Sequence, residues 1–282
     1  MSRPEQVAPA DVYYNEEEAH KYTTNTHIID VQKRMTERAI ELLALPEDST
    51  CFLLDIGCGS GLSGEELSEN GHVWVGLDLS PSMLNVALER EVDGDLFLQD
   101  MGQGVGFRPG SFDGAISISA LQWLCNADQR GHVPHKRLAR FFGTLYAALA
   151  RGARAVFQLY PQTPQQMGMI TAAAMKAGFT GGLVVDFPNS TRAKKMFLCL
   201  FAGVAAEVPK GLDGTEGEDG QAGPSMPYSR KDRDAHFGKG KGKKAATKSR
   251  DWIADKKERR KRQGKDVRPD SAYSGRSRGP KF

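Results

Sequence analysis

The chain contains 282 residues, of which 39% are hydrophobic and 26% are charged. It has no run of 18 or more apolar residues and its four cysteines form no CxxC pair, so we expect neither a membrane-spanning helix nor a cysteine-based metal site. The net charge of +3 hides a basic end, because residues 230–282 carry 20 Lys and Arg against 7 Asp and Glu. A basic segment on an acidic body favours contact with a polyanion.

The first helices are predicted from capping residues and hydrophobic periodicity. Residues 1–12 are predicted to be disordered. Asn15 precedes three glutamates, a pattern typical of an N-cap followed by acids at the positive end of the helix dipole. Apolar residues at three- or four-residue spacing then predict an amphipathic helix over residues 26–44, which Pro46 ends. Tyr22 is either part of a lid over a ligand or an ordinary core or surface aromatic residue.

Three predicted strands each end in an aspartate. They run over residues 51–55, 73–78 and 95–100, and they end at Asp55, Asp78 and Asp100. A helix is predicted from Leu62, and another begins at Ser80, which acts as N-cap before a proline at the first helical position.

Strands and helices continue to alternate up to residue 201. Strands are predicted over residues 111–118, 153–160, 182–187 and 196–201, and helices over residues 136–150 and 165–177. This alternation predicts an α/β fold with a mostly parallel seven-stranded sheet, and the last strand pair allows one antiparallel strand.

The composition changes after this domain, which we place at residues 13–205. Residues 206–245 are rich in glycine and poor in apolar residues, which predicts a flexible linker. Residues 246–282 form a basic C-terminal tail, for which we expect RNA binding, nuclear import or both.

Two classes of ligand fit the glycine-rich loop after the first strand. Gly59, Gly61 and Gly64 match the GxGxxG fingerprint of dinucleotide-binding dehydrogenases, with Asp78 placed 19 residues after Gly59. The spacing of Asp55 and the following glycines resembles motif I of class I S-adenosylmethionine methyltransferases. A carboxylate at position 55 suits a cationic ammonium group and would repel a pyrophosphate. The second interpretation is therefore favoured, with Rossmann-like topology.

The segment after the fourth predicted strand is expected to meet the substrate. It lacks the Asn/Asp-Pro-Pro-aromatic motif of adenine amino methylation, and nothing in its neighbourhood indicates that Cys125 is an activated thiol. Trp123 either stacks on a base or merely covers the top of the sheet. A ring nitrogen such as guanine N7 needs no deprotonation, so no catalytic base is predicted and orientation would carry the reaction.

Several motifs resemble the eukaryotic 18S rRNA (guanine-N7)-methyltransferase family. They are Asp55 to Gly61, Trp74 to Asp78, Gln122 to Asn126, Gly181 to Ser190 and the tail segments 256–264 and 267–270. The resemblance covers about residues 12–210 and 249–282. It implies S-adenosylmethionine as cofactor, methylation of a small-subunit rRNA guanosine, and a role in pre-rRNA processing, small-subunit biogenesis and export. Whether that role depends on catalysis is left open, as is an assembly factor that keeps the fold only as a scaffold. A small-molecule methyltransferase is a further alternative.

The resemblance also implies site residues, partners and a location. The predicted cofactor-binding residues are Asp55, Gly57, Cys58, Gly59, Gly61, Asp78, Leu79, Asp100, Met101 and Ser117. The predicted substrate-binding residues are Ser119, Gln122, Trp123, Asn126 and Tyr22. The implied partners are pre-ribosomal particles and a small zinc-binding activator subunit, which would add a strand at the exposed edge near Leu96 and Leu98. The implied location is the nucleus and nucleolus, with the cytoplasm as a further location.

Overall fold

The apolar run from Phe52 to Ile56 forms the central strand, β1, whose residues Leu53 and Leu54 are fully buried. Full burial is expected of a parallel strand that helices cover on both faces. The computed structural model describes residues 3–190, 193–203, 206, 208–212 and 257. The strands are β1 (Phe52–Ile56), β2 (Val73–Asp78), β3 (Asp95–Leu98), β4 (Phe112–Ile118), β5 (Leu149–Gln158), β6 (Thr180–Asp186) and β7 (Lys195–Phe201).

Seven α-helices accompany these strands in the described residues. They are α1 (Ala10–Tyr13), α2 (Glu16–Thr24), α3 (Thr26–Leu43), α4 (Leu62–Glu69), α5 (Pro81–Glu89), α6 (Pro134–Ala148) and α7 (Pro164–Ala177). Two of the predicted N-caps are confirmed, because Asn15 accepts a hydrogen bond from Glu18 N and Ser80 Oγ accepts one from Met83 N. Within the part of the chain that the structure describes, no helix is long and apolar enough to cross a membrane.

The sheet has the strand order β3-β2-β1-β4-β5-β7-β6. All pairings from β3 to β5 are parallel, whereas β7 is antiparallel to both of its neighbours, β5 and β6. The predicted α/β fold, mostly parallel with one antiparallel strand, is therefore confirmed. One hydrophobic cluster lies between the sheet and α6 and α7, and a second lies between the other face and α3 and α4.

The start of β5 differs from the prediction. The strand begins at Leu149 rather than at residue 153, and its register against β4 shifts between Phe112 and Gly114. Gly152 has a φ of +90°, a conformation that glycine adopts without strain, so the chain passes through an irregularity and continues as a strand. The residues between the predicted helix, which ends at residue 150, and the predicted strand, which begins at residue 153, thus form a bulge within β5.

The N-terminal segment is ordered, so the prediction of disorder over residues 1–12 is wrong for the described residues 3–12. A short 3₁₀ helix spans Pro4–Gln6, and α1 follows it. Long-range contacts hold this segment, because Arg3 donates to the carbonyl of Tyr160 at 2.7 Å and Gln122 donates to the Glu5 carboxylate at 2.9 Å. Such contacts lie more than 100 residues away in the sequence, and local composition does not report them.

The predicted linker begins later than residue 206. Leu212 N donates to Asp186 Oδ1 at 2.9 Å, and the carbonyl of Lys210 accepts a hydrogen bond from Arg38. A Cβ on Gly211 would lie 1.9 Å from the carbonyl oxygen of Val185, so the backbone runs directly against β6. The chain divides into two units, Met1–Met226 and Pro227–Phe282. The rest of the predicted linker and the basic tail lie outside the described residues, apart from Lys257, which is helical.

Candidate functional site

A large cavity opens at the carboxyl ends of β1, β2 and β4, where ligands bind in open α/β sheets. Its empty volume is about 950 Å³ when the open mouth is included. Glycines, carboxylates, aromatic rings and apolar side chains share its wall. Among the residues that line it are Tyr14, Tyr22, Gly57, Cys58, Gly59, Ser63, Asp78, Leu79, Met83, Asp100, Met101, Ile118, Ser119, Trp123, Asp128 and Arg137.

The glycine loop that follows β1 forms part of the cavity wall. Gly57 has a φ of +73° and Gly59 a φ of +52°, and both line the cavity. A Cβ on Gly57 would lie 2.3 Å from the Cβ of Ala120, so a side chain has no room there. Gly61 does not line the cavity. It precedes α4 with a φ of +77°, and a Cβ there would meet Val92.

Asp55 lies behind the wall rather than on it. Its side chain is fully buried, Oδ2 accepts a hydrogen bond from Ser63 Oγ at 2.6 Å, and Oδ1 has no partner among the described residues. Burial raises the pKa of Asp55 to about 7, although the Ser63 hydrogen bond opposes this shift. Because Ser63 lines the cavity, Asp55 would act on a ligand across one hydroxyl group.

Asp78 lies on the wall at the end of β2. One carboxylate oxygen accepts from Gly59 N and the other from Ser80 N, each at 2.8 Å. Burial raises the pKa of Asp78, while the backbone N–H groups oppose the shift. A carboxylate has about four acceptor positions, so each oxygen can accept a further hydroxyl donor from a ligand.

Asp100 lies beyond the end of β3, which ends at Leu98 rather than at residue 100. Its Oδ1 accepts from Gly102 N at 2.8 Å and from Arg137 at 2.7 Å. Met101 and Leu79 also line the cavity, with Met83 and Ile118 as further apolar contacts. The sequence reasoning missed Arg137, because its carboxylate partner lies 37 residues earlier in the chain.

Of two other residues predicted to bind the cofactor, Ser117 does not line the cavity and Cys58 does. Ser117 is fully buried and does not line the cavity, because its hydroxyl donates to the carbonyl of Ile56 at 2.7 Å. This bond joins β4 to the end of β1. Cys58 does line the cavity, and burial raises the pKa of its thiol well above the usual value.

Ser119 and Trp123 also line the cavity, on the turn whose Ala120 lies against Gly57. Ser119 has a φ of +59°, which is strained for a serine and is a common property of functional sites. Its hydroxyl donates to Gln158 Oε1 at 2.5 Å, a bond that anchors this turn to β5. The indole of Trp123 contacts the ring of Tyr14, with centroids 6.0 Å apart.

Gln122 and Asn126, which are predicted to bind the substrate, are placed away from this cavity. Neither residue lines it. The Gln122 amide donates to Glu5 Oε1 at 2.9 Å, and the Asn126 amide donates to the Glu5 carbonyl at 3.1 Å. These two side-chain amides hold the N-terminal segment in place. The sequence prediction treated that segment as disordered, so it assigned the amides to hydrogen bonds with a substrate base.

The N-terminal helices supply another part of the wall. Tyr22 and Tyr14 both line the cavity, and their rings meet edge to face with centroids 5.9 Å apart. Burial raises the pKa of both phenols, so they are neutral at physiological pH. Ser80 Oγ donates to the Tyr14 carbonyl at 2.8 Å, which fixes this segment to the start of α5.

Cys125 is unsuited to nucleophilic chemistry. Burial raises the pKa of its thiol to about 11, so almost no thiolate exists at neutral pH. This finding agrees with the absence of activating residues in the neighbouring sequence.

Two family models match the chain. The one described as "Methyltransferase domain" matches residues 54–157, and the one described as "Methyltransferase involved in Williams-Beuren syndrome" matches residues 200–280. Solved structures show the same fold. Haemonchus contortus phosphoethanolamine N-methyltransferase 2 has 18% identity and a TM-score of 0.52, over 67% of this chain and 57% of that one. Magnesium protoporphyrin IX methyltransferase from Synechocystis has 15% identity and a TM-score of 0.50, over 71% of this chain and 98% of that one.

The curated relatives are similar over their whole length. The 18S rRNA (guanine-N(7))-methyltransferase of Mus musculus is 58% identical over 99% of this chain and 98% of its own length. The 18S rRNA (guanine(1575)-N(7))-methyltransferase of Saccharomyces cerevisiae is 50% identical over the full length of both chains. The chain therefore belongs to the family of 18S rRNA (guanine-N7)-methyltransferases.

Proposed function

We propose that this protein transfers the methyl group of S-adenosylmethionine to N7 of a guanosine in small-subunit (18S) rRNA, during processing and assembly of the small ribosomal subunit. Family membership over the full chain carries this proposal, because the relatives named above are enzymes of that reaction. The cavity lies at the carboxyl edge of the sheet, the position where nucleoside cofactors bind in open α/β sheets.

The cavity residues fit S-adenosylmethionine on three observations. Gly57 and Gly59 line the cavity without side chains, so a ligand can approach their backbone closely. Asp78 keeps free acceptor positions for ribose hydroxyls, and Asp55 has a buried oxygen without a described partner behind Ser63. We assign the methionine end of the cofactor to the loop at Gly57 and Gly59, and the adenine end to Asp100 and Met101 between Leu79 and Ile118. When bound, the cofactor supplies an electrophilic methyl group on a sulfonium cation.

The protein contributes to the reaction by orienting guanine N7 toward the methyl group of the cofactor. Guanine N7 carries an in-plane lone pair and needs no base to remove a proton, so a rigid wall that fixes the ring suffices. Trp123 offers a flat apolar face, and the strained Ser119 sits on a turn that Gln158 anchors. Tyr22 and Tyr14 close the neighbouring wall and exclude water from this part of the cavity.

The proposal is tested by depleting the protein and mapping 7-methylguanosine in 18S rRNA. We expect the loss of the modification at one guanosine, with its return when the wild-type protein is re-expressed. An unchanged modification after complete depletion would exclude this protein as the enzyme. A small-molecule methyltransferase would likewise leave the rRNA modification intact.

Asp55 provides a test of the cofactor position through pH. Its pKa of about 7 means that the carboxyl is mostly neutral at pH 6 and mostly ionised at pH 8. Only the ionised form attracts a cationic ammonium group, so the dissociation constant of S-adenosylhomocysteine should rise as pH falls from 8 to 6. Calorimetric titration of the wild type and of Asp55→Asn measures this dependence. The variant should bind more weakly at pH 8 and lose the change near pH 7, and an identical pH profile in both proteins would contradict the assignment.

We propose that a small zinc-binding activator subunit adds a strand to β3. This strand pairs only with β2 among the described strands, and Phe97 and Leu98 are 46% and 61% exposed. An exposed apolar edge strand invites pairing with another chain unless it is covered. The partner would thereby hide apolar surface that otherwise promotes aggregation.

Leu98→Lys should weaken binding of the activator at least tenfold, because the lysine places a charge in the covered interface. Leu183→Lys is the matched control, since Leu183 is a 39% exposed leucine on β6 at the opposite edge of the sheet. Co-purification and titration of the two chains measure the difference. If both variants bind the activator as the wild type does, the partner uses another surface.

We further propose that the protein works in the nucleus and nucleolus, where small-subunit rRNA is processed. The basic residues of the tail support import, RNA binding or both. A fluorescent fusion that lacks residues 246–282 should lose nuclear accumulation if the tail is the import signal.

A further inference from the structure

The charges of the body are segregated along the chain. Residues 1–128 carry 22 Asp and Glu against 7 Lys and Arg, whereas residues 129–185 carry seven Lys and Arg and no Asp or Glu. The excess of acidic residues before residue 129 repels RNA. A polyanion can therefore approach most easily where residues 129–185 reach the surface. One residue of this segment, Arg137, lines the cavity.

Three exposed cations of this segment are neighbours of cavity residues in the chain or through a hydrogen bond: Arg130, Lys136 and Arg140, which we call the basic rim. Each of the three is close in sequence, or hydrogen-bonded, to a residue at or next to the cavity wall. Arg130 follows two residues after Asp128, which lines the cavity, and Lys136 precedes Arg137, which also lines it. Arg140 donates to Gln103 at 2.9 Å, in the turn that begins at Asp100.

The basic rim is free to bind an external anion. Among the residues that the structure describes, no carboxylate forms an ion pair with Arg130, Lys136 or Arg140. The buried Arg137 is different, because Asp100 neutralises it at 2.7 Å. The first turn of α6 contains no acid, although acids are favoured at that end of a helix dipole. Positive side chains there carry an electrostatic cost that a bound phosphate group would relieve.

We propose that the basic rim binds the phosphodiester backbone of the rRNA next to the target guanosine and so holds the base at the cavity. Phosphate contacts fix the register and orientation of a nucleic acid without reading its sequence. The rim thus complements the role proposed for Trp123, and its residues lie within the described residues 3–190 and not in the basic tail. This inference rests on the proposed function.

The test uses the full-length protein with its tail intact and a short single-stranded RNA from 18S rRNA that contains the mapped guanosine. The triple variant Arg130→Gln, Lys136→Gln and Arg140→Gln should bind this RNA at least tenfold more weakly at about 0.1 M salt. The slope of log K against log salt concentration should fall by about 2, because each lost contact to single-stranded RNA removes about 0.7. In methylation assays KM for RNA should rise at least tenfold with little change in kcat, and binding of S-adenosylhomocysteine should be unaltered.

The matched control is the double variant Arg151→Gln and Lys176→Gln. Both residues are exposed cations of the same acid-free segment, but they lie at the amino end of β5 and the carboxyl end of α7, the edge of the sheet away from the cavity. This variant should keep wild-type RNA affinity and salt slope. Equal behaviour of the triple and control variants would overturn the inference, and an acidic protein would then be the better occupant of the rim. If the wild type itself fails to methylate the RNA, the proposed function fails instead.

Discussion

Replacing Gly64 with alanine is expected to lower the free energy of unfolding by about 1–3 kcal/mol, the range for overpacking a dense core. A Cβ on Gly64 would lie 2.0 Å from Cζ2 of Trp74. The indole cannot move aside, because it is 2% exposed, its Nε1 donates to Ser68 Oγ at 2.9 Å, and Gly94 meets it closely as well. Urea-induced unfolding of the purified protein measures the change.

Gly143→Ala is the control for this prediction. Gly143 lies in α6, is exposed, and has no atom within 4 Å of an added Cβ. Alanine should therefore stabilise the helix by about 0.5–1 kcal/mol, because glycine loses more backbone entropy on folding. The two glycine-to-alanine changes should have opposite signs. If Gly64→Ala were neutral, the packing of the indole described here would be wrong.

Asp78→Asn is expected to weaken binding of S-adenosylhomocysteine about 100-fold or more and to abolish methylation. An amide has one acceptor oxygen, so its nitrogen would face the N–H of either Gly59 or Ser80, each of which now donates to the carboxylate at 2.8 Å. The change also removes a charged acceptor for ribose hydroxyls. Hydrogen bonds to charged groups contribute about 1.5–3 kcal/mol each, and about 1.4 kcal/mol corresponds to a tenfold change in affinity.

Asp113→Asn is the matched control for Asp78→Asn. The Asp113 carboxylate also accepts a backbone hydrogen bond, from Phe52 N at 2.8 Å, but at the opposite edge of the sheet. Calorimetric titration should find wild-type affinity in this variant. Cells in which Asp78→Asn replaces the wild-type protein distinguish a catalytic role from a scaffold role. Normal rRNA maturation without the methyl group would show that the essential role is that of a scaffold. An unchanged affinity of Asp78→Asn would refute the assignment of Asp78 to the ribose.

The sheet was predictable from sequence because its signals are local. Buried parallel strands are short apolar runs, and the acids at the ends of β1 and β2 mark the edge where ligands bind. The capping residues Asn15 and Ser80 act within three positions of themselves, and both predictions are confirmed. The glycine loop was also recognisable, since its positive φ values leave few other choices of residue.

The same loop shows where a motif is ambiguous. Gly64 completes the dinucleotide fingerprint in the sequence, but in the structure it makes room for Trp74, a residue on the next strand. A small residue there reports helix-to-strand packing, and it says nothing about the ligand. The residue that discriminates between the two classes of ligand is Asp55, because a carboxylate there would repel a pyrophosphate.

The remaining features depend on contacts between distant parts of the chain. Glu5 accepts hydrogen bonds from Gln122 and Asn126, more than 100 residues away, and neither end of these bonds carries a local signature. Ser117 illustrates the same limit in a strand, because only the pairing of β4 with β1 brings its hydroxyl to Ile56. The partnership of Arg137 with Asp100 likewise required the packing of α6 beside the turn after β3.

The position of β7 has a consequence for synthesis on the ribosome. This strand is the last described strand in the chain, yet it lies between β5 and β6, and β6 pairs with no other described strand. Until Phe201 has emerged from the exit tunnel, the nascent domain leaves one side of β5 open and β6 without a neighbour. Unpaired apolar strand edges attract other chains, so we expect the nascent domain to be most prone to aggregation late in its own translation.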